Sequence, residues 1–362
     1  MRPQSVSGKF LALALPHVTN LLCSEPPGVL LSPRGSYMKR REFIALVGGA
    51  AGWPLAARAQ TTNKIARIGF LGSATAAGSS QSVKALREGL NALGYVEGKN
   101  INIEFRWAEG NYERLLELVA DLIRLNVDVL VTHGTPGTKT AKRATTNIPI
   151  VMAISGDAVA TGIVTNLGRP DANVTGSTFF LPELNSKRLE LLKEVLPHVT
   201  HVGALSNPAN PVSTPIISAM TAAAPPLKLE VEVFKVHGPN DFVGAFEAVA
   251  KSRVNAVAVT EDGEFAASFK TIAALAVGNK LPSIGSKEYA EAGGLIGYGV
   301  NIISLYRRGA YFIDKILKGS KPADLPIEQP TRFDFVINLK TAKTLGLTVS
   351  PSLLSRADEL IE

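Results

Sequence analysis

One order of elements occurs twice in this chain, and that duplication limits the fold more than any single motif does. In the first pass, "IARIGFL" from Ile65 is a continuous apolar run ending in the small-residue loop "GSATAAGSS", after which Val83, Leu86, Leu90 and Leu93 recur at helical spacing. "INIEFRW" from Ile101 alternates apolar with polar residues, the pattern of a strand with one wet face. Asn111 is placed to cap a helix whose Leu115, Val119 and Leu122 share a face. The strand "VDVLVT", a Thr- and Gly-rich turn, a helix opening after "THGTPG" and the strand "IPIVMA" complete the unit. The second pass repeats the order. "HVGALSNPANP" supplies strand and loop, a helix runs from about Pro215 to Ala224, and "LEVEVFKV" alternates. Asp241 then caps a helix bearing Phe242, Phe246 and Val249, "VNAVAVTEDGEF" gives the third strand and its loop, and a helix with Phe265, Phe269 and Ile272 leads to "LPSI".

Strands alternating with helices predict parallel sheets covered on both faces. Two copies predict an α/β fold of two doubly wound parallel-sheet lobes joined by a hinge. The first lobe is expected to span 64–177 plus about 301–326, and the second 178–300 plus about 327–362. Crossings are expected near Thr175–Ser177, Tyr298–Asn301 and Leu325–Pro330, the last marked as non-helical by Pro322, Pro326 and Pro330. The helix carrying Tyr306, Ala310, Ile313 and Leu317 on one face is expected to return to the first lobe. Open parallel sheets bind ligands beyond the carboxyl ends of their strands. The three richest loops, after Leu71, Val131 and Val259, fall there, so the expected site is a cleft between facing lobes.

The compartment follows from "MKRREFIALVGGAAGWPLAARAQ", from Met38. A basic start, an apolar run from Phe43 to Leu55 and small residues at Ala57 and Ala59 have the three-part build of an export signal. Arg40 and Arg41 make it twin-arginine-like. The run is short, Gly-rich and broken by Pro54, whereas a spanning helix needs roughly 20 apolar residues. Residues 38–59 are therefore expected to be removed after Ala59, leaving a periplasmic protein. Residues 1–37 fit poorly upstream of such a signal and are expected to be a misassigned start or disordered, with translation beginning at Met38. Cys23, the only cysteine, lies in that stretch, so the mature chain is expected to form no disulfide.

Removing the leader also removes most of the charge. Residues 1–59 carry seven basic and two acidic side chains, which leaves 31 basic and 29 acidic of the original 38 and 31, a net charge of +2. No dense basic stripe remains for nucleic acid.

The loops carry little catalytic chemistry. "THGTPGTK" lacks the G-x-x-x-x-G-K-[ST] frame of a phosphate loop, and "GFLGSA" lacks the G-x-G-x-x-G of a dinucleotide site. No histidine has the spacing of a metal site. His133, at a strand end, has no nucleophile elbow to serve and reads as a cleft-lining residue; paired carboxylates in "TEDGE" leave a metal as the lesser alternative to a solvated or ligand-facing loop. No catalytic residue and no cofactor is expected. A carboxylate ligand fits better. The helix after "THGTPG" presents unpaired N–H groups and the positive end of its dipole, and Thr135 and Thr138 add hydroxyl donors. Glu261, Asp262 and Asp157 are acceptors for an ammonium group, or alternatively helix caps. Donors facing acceptors describe an α-amino acid.

Several long stretches then point to a family. "GYVEGKNINIEFRWAEGNYERL", "VDVLVTHGTPGTKTAKRATTNIPIV", "GDAVATGIVTNLGRPDANVTG", "KRLELLKEVLP", "AGGLIGYG" and "DKILKGSKPADLPIEQPTRFDFVINLKTAKTLGL" cover nearly the whole mature chain. In these the chain resembles the ABC-transporter substrate-binding proteins related to bacterial tryptophan- and phenylalanine-binding proteins, a branch of the type I periplasmic binding-protein fold. The resemblance implies capture of a small solute, closure of two lobes, and delivery to an inner-membrane permease driven by a separate ATPase. It places ligand contacts at Ser73, at Thr135–Thr138 and at Asp262, and more weakly at Asp157 and Asn207. Ala158 stands where such relatives commonly have proline, and "TEDG" where aromatic-binding ones look more like "PTDN", which leaves the side-chain specificity open. Phe179, Phe180 and Tyr298 are candidates to stack on an aromatic ligand, or to serve packing alone. The protein is expected to act as a monomer. The other readings are an exported sensor that hands its ligand to a receptor, an enzyme on the same two lobes, and the sensing half of a transcription regulator; the export signal and the lack of an N-terminal helix-turn-helix oppose the last.

Overall fold

In the computed structural model, which describes residues 65–170, 172–179 and 181–362, the first apolar run forms strand β1 (Ala66–Gly72). Helix α1 (Ser80–Ala92), β2 (Ile101–Trp107), α2 (Leu115–Arg124), β3 (Val129–His133), α3 (Gly134–Ala144), β4 (Ile150–Gly156) and β5 (Val174–Phe179) follow. The second pass supplies α4 (Leu181–Val195), β6 (His201–Ser206), α5 (Ser213–Ala223), β7 (Glu230–Lys235), α6 (Phe242–Lys251) and β8 (Ala256–Val259). It continues through α7 (Gly263–Ala267), α8 (Phe269–Gly278), β9 (Ser283–Gly285), α9 (Lys287–Glu291) and β10 (Ile296–Val300). Last come α10 (Ile302–Leu317), β11 (Phe333–Asn338), α11 (Leu339–Thr344), α12 (Pro351–Leu354) and β12 (Glu359–Ile361). The export segment and everything before it lie outside the described residues, as does Phe180.

The strands form two sheets. The first has the order β2-β1-β3-β4-β5, all parallel, and the second β12-β11-β10-β9-β8-β6-β7. Within the second, β7-β6-β8-β9-β10 repeats the order of the first, so the duplicated sequence pattern is a duplicated topology. Both sheets are doubly wound. Along β1 the side chains alternate: Ile68 and Phe70 join a core shared with Val83, Leu86 and Leu90 of α1, while Leu71 joins the opposite core with Leu118, Val119 and Leu122 of α2. In the second sheet Leu189 and Leu192 of α4 with Ile216 and Met220 of α5 cover one face, and Phe246 and Val249 of α6 with Ile272 and Ala276 of α8 cover the other. The edge strand β2 alternates in burial at its start, as its sequence does, whereas in β7 the alternation breaks at an exposed Val233 followed by a buried Phe234.

Helix α10 lies against α1, β4 and β5, so the chain returns to the first sheet after completing β10. The chain goes from one sheet to the other between β5 and α4, between β10 and α10, and between Glu328 and β11. At the third, Glu328 runs beside Ser177 and its carbonyl accepts the Thr178 N–H at 2.9 Å. The first and third connections thus run side by side.

Four local expectations need correction. Helix α3 begins at Gly134 instead of after "THGTPG", because Gly134 takes a left-handed φ of 77° that turns the strand straight into the helix, and Pro136 is tolerated in a first turn where no intrahelical N–H bond is lost. Asn111 caps a short 3-10 turn, Tyr112–Arg114, that leads into α2. The Asp241 side chain turns back to the His237 N–H at 2.9 Å and does not cap α6. The helix expected over Phe265, Phe269 and Ile272 is broken at Ser268 into α7 and α8. Two strands were not anticipated. β11 pairs antiparallel with β10, and β12 pairs with β11, so the second sheet is mixed.

Leu86 is fully buried where α1 meets α10 and the first sheet. Leu86→Ala is expected to cost about 2–5 kcal/mol of stability, through lost burial and the cavity left behind. Chemical denaturation of the two proteins checks this.

Candidate ligand-binding site

The carboxyl ends of both sheets face one another across a pocket. From the first lobe come Gly134 and Thr135 at the start of α3, Ile154, Ser155 and Gly156 at the end of β4, and Phe179 at the end of β5. Their placement follows from the parallel order, since each lies at or just past the carboxyl end of a strand. Ser73 holds the corner from behind, its Oγ donating to the His133 carbonyl at 2.9 Å. The Thr135 hydroxyl receives the Gly156 N–H at 3.1 Å and sits 3.2 Å from the Ser155 Oγ. Helix α3 has no acidic residue in its first turn, so its positive end reaches the pocket uncompensated.

The second lobe contributes the loop that follows β8. Thr260, Glu261, Asp262 and Gly263 line the pocket, with Asn210 beside them and Phe269, Val212 and Val259 as apolar wall, to which Ile302 at the start of α10 adds from the first lobe. Asp262 caps α7: one carboxylate oxygen accepts the Glu264 N–H at 2.9 Å, and the other accepts the Asn210 amide at 3.0 Å and the Tyr112 hydroxyl at 2.8 Å. Burial raises the Asp262 carboxyl above its ordinary range, and these donors act against that rise. Glu261 is held differently. It pairs with Arg188 at 2.6 Å and accepts the Asn185 amide at 2.7 Å. Arg188, 1% exposed, also donates to the Tyr298 carbonyl at 2.7 Å and lines the pocket from α4.

Tyr112 belongs to the first lobe and Asp262 to the second, so their hydrogen bond crosses the cleft. Nearby, a Cβ placed on Gly78 of the first lobe would meet the Ala267 Cα of the second at 2.8 Å, which shows the lobes in contact. The pocket encloses about 80 Å³ and shares Gly263, Ala266, Phe269 and Ile302 with a wider space of about 730 Å³. His133 lines that wider space and bonds through its Nδ1 to the Tyr306 hydroxyl of α10. Burial pulls its pKa down to about 4, which keeps the imidazole neutral at pH 7. Among the described residues no group of three or more His, Cys, Asp or Glu side chains is placed to hold a metal ion.

The residues expected from sequence divide accordingly. Thr135 and Asp262 line the pocket from opposite lobes, and Ser73 supports its corner. Thr138 lies one turn along α3 with its hydroxyl donating to the Gly134 carbonyl at 3.0 Å and 2.8 Å from the Thr132 hydroxyl, buried inside the lobe. Asp157 accepts the N–H groups of Val159 and Ala160 and organises its own loop. Asn207 does the same with Ala209 N–H, behind Asn210. Neither lines the pocket. Of the aromatic candidates, Phe179 is in the wall, whereas Tyr298 stacks on Phe333 at 5.9 Å. Arg188, Asn185, Asn210 and Tyr112 were not anticipated. Arg188 had a legible sign, since it shares the apolar stripe of α4 with Leu184, Leu191 and Val195, where a charge is out of place.

Residues 74–361 match the model of the ABC transporter substrate binding protein family. The tyrosine-binding protein of Clostridioides difficile is 26% identical over 266 residues, covering 73% of this chain and 76% of that protein. Among solved structures, the ABC domain in complex with L-Trp from Streptococcus pneumoniae superposes with a TM-score of 0.74 at 29% identity, covering 81% of this chain and 100% of that one. A conserved domain protein from Vibrio cholerae superposes with a TM-score of 0.77 at 27% identity, over 82% and 100%.

Proposed function

The chain belongs to the family of ABC transporter substrate-binding proteins, and from that premise we propose that it captures an amino acid with an aromatic side chain between its lobes. In this reading it works in the periplasm as a monomer and delivers the solute to an inner-membrane permease driven by a separate ATPase. One observation carries it: the open, uncompensated start of α3 with Thr135 stands opposite the Asp262 carboxylate, with Phe179, Phe269 and Ile302 between. The helix start suits a carboxylate, the Asp262 side an ammonium group, and the apolar wall a ring. Similarity to the tyrosine-binding and L-Trp-bound proteins supports the choice of ring. No described helix is long and apolar enough to cross a membrane.

Transport needs no bond-making group. It needs a ligand that touches both walls, because only a ligand that favours the closed form shifts the population toward it. Micromolar capture corresponds to about −8 kcal/mol. Titration calorimetry of the purified protein with L-tryptophan, L-tyrosine and L-phenylalanine is expected to give dissociation constants in the micromolar range or below for at least one. Absence of binding to all three, together with recovery of a ligand lacking a carboxylate by mass spectrometry, would overturn both the ring and the clamp.

A further inference from the structure

The cleft contains a carboxyl group that the ligand reading does not use. Glu264, on α7 of the second lobe, is 1% exposed and its Oε1 has no hydrogen-bond partner. What covers it is the opposite lobe. A Cβ built on Gly110, in the turn between β2 and α2, would lie 2.2 Å from the Glu264 Cδ and 2.4 Å from its Oε2, so the carboxyl rests directly on that backbone. Gly110 takes a φ of 80°, and the absence of a side chain there is what lets the turn come so close.

The charged and titratable neighbours of Glu264 come from both sides. Asp262 caps its own helix, and Glu261 precedes that cap with its charge committed to Arg188. From the first lobe, Glu109 adjoins Gly110 and is drawn toward Arg114 at 3.5 Å, Tyr112 donates to Asp262, and His133 faces Gly263 as a neutral ring. No cation pairs with Glu264 among the described residues.

We propose that closure of the lobes is coupled to uptake of a proton by Glu264, which the Gly110 turn seals beside Asp262 and Glu109. Opening withdraws Glu109, Gly110 and Tyr112 together, since all three belong to the first lobe, and returns the carboxyl to water. Closing removes that water and supplies no donor to the Glu264 carboxylate, whereas Asp262 beside it accepts three hydrogen bonds. The proton comes from solvent and returns there on opening.

Burial, with Asp262 and Glu109 adding like charge, pushes the Glu264 pKa up to about 7 from an ordinary 4.5. A raised pKa in the closed form means that the stabilisation of that form is complete below the ordinary carboxyl range and is lost as pH rises through about 7. The ratio of closed to open molecules then falls by at most about tenfold per pH unit across that window.

The inference rests on the reading that the lobes open and close, but not on the identity of the ligand. It is tested on the ligand-free purified protein by small-angle X-ray scattering between pH 5 and 8.5, repeated with L-tryptophan. The radius of gyration is expected to grow with pH in the wild type. Glu264→Gln, which is isosteric and cannot ionise, is expected to stay as compact at pH 8.5 as the wild type at pH 5, with its melting temperature confirming that it folds. A wild-type radius that does not change with pH overturns the proposal, as does a Glu264→Gln radius that changes as the wild type's does. Failure to bind L-tryptophan would leave L-tyrosine and L-phenylalanine to decide the amino-acid reading and would leave the ligand-free series intact.

Discussion

Replacing Arg188 by alanine is expected to lower the stability of the protein by about 3–5 kcal/mol, because truncating one member of a buried ion pair strands the other. Arg188 is 1% exposed and is paired at 2.6 Å with Glu261, whose remaining oxygen already accepts the Asn185 amide. Its Nε–H satisfies the carbonyl of Tyr298 on β10, so one guanidinium ties together α4, the loop after β8 and β10. Differential scanning calorimetry would show a fall in melting temperature on the order of 10 °C. The double variant Arg188→Met with Glu261→Gln removes both charges and is expected to recover much of that loss. If Arg188→Ala melts with the wild type, the pair does not hold the loop. If the double variant is no better than the single, the loss comes from packing and not from the stranded carboxylate.

The second large effect is on affinity. Asp262→Ala is expected to weaken ligand binding about 100-fold, in the range found when one partner of a desolvated charge pair is truncated. Asp262 also caps α7 and accepts the Tyr112 hydroxyl across the cleft, so alanine removes a cap worth about 1 kcal/mol as well as an acceptor. Asp262→Asn separates these contributions, since asparagine caps as well as aspartate does but carries no charge. Calorimetry with the best-bound aromatic amino acid is expected to show that asparagine leaves the loss largely unrepaired. Recovery of wild-type affinity in Asp262→Asn would make the residue a positioner of α7 and reassign the ammonium to another acceptor.

The contrast between these two residues reflects what a linear pattern can carry. That Asp262 lines the pocket was legible because the strand "VNAVAV" must end somewhere, and a residue just past a strand end in a parallel sheet lies at the end where ligands bind. Thr135 was visible for the same reason. Thr138 lies inside the lobe because a helix expected to open after "THGTPG" opens at Gly134, and a shift of four residues moves a hydroxyl from the mouth of the helix into its second turn. Asp157 and Asn207 follow strand ends too, yet each spends its side chain on N–H groups two or three residues on, a competition that short polar side chains win locally.

The repeated order of strands and helices, the apolar run of β1, the alternation along β2 and the helical stripes of α1 and α2 are all one-dimensional patterns, and the sequence alone determined them. They were enough for two doubly wound lobes with a cleft at the strand ends. Tertiary structure decided the rest. Only folding brings Arg188 to Glu261, Tyr112 to Asp262 across 150 positions of chain, and the Gly110 turn onto Glu264. It also decided that "FDFVIN" would close the second sheet antiparallel to β10. The physical reason is range: burial periodicity is written between neighbours on one element, whereas the partner of a buried charge is set by which elements meet, and a sequence does not record that distance.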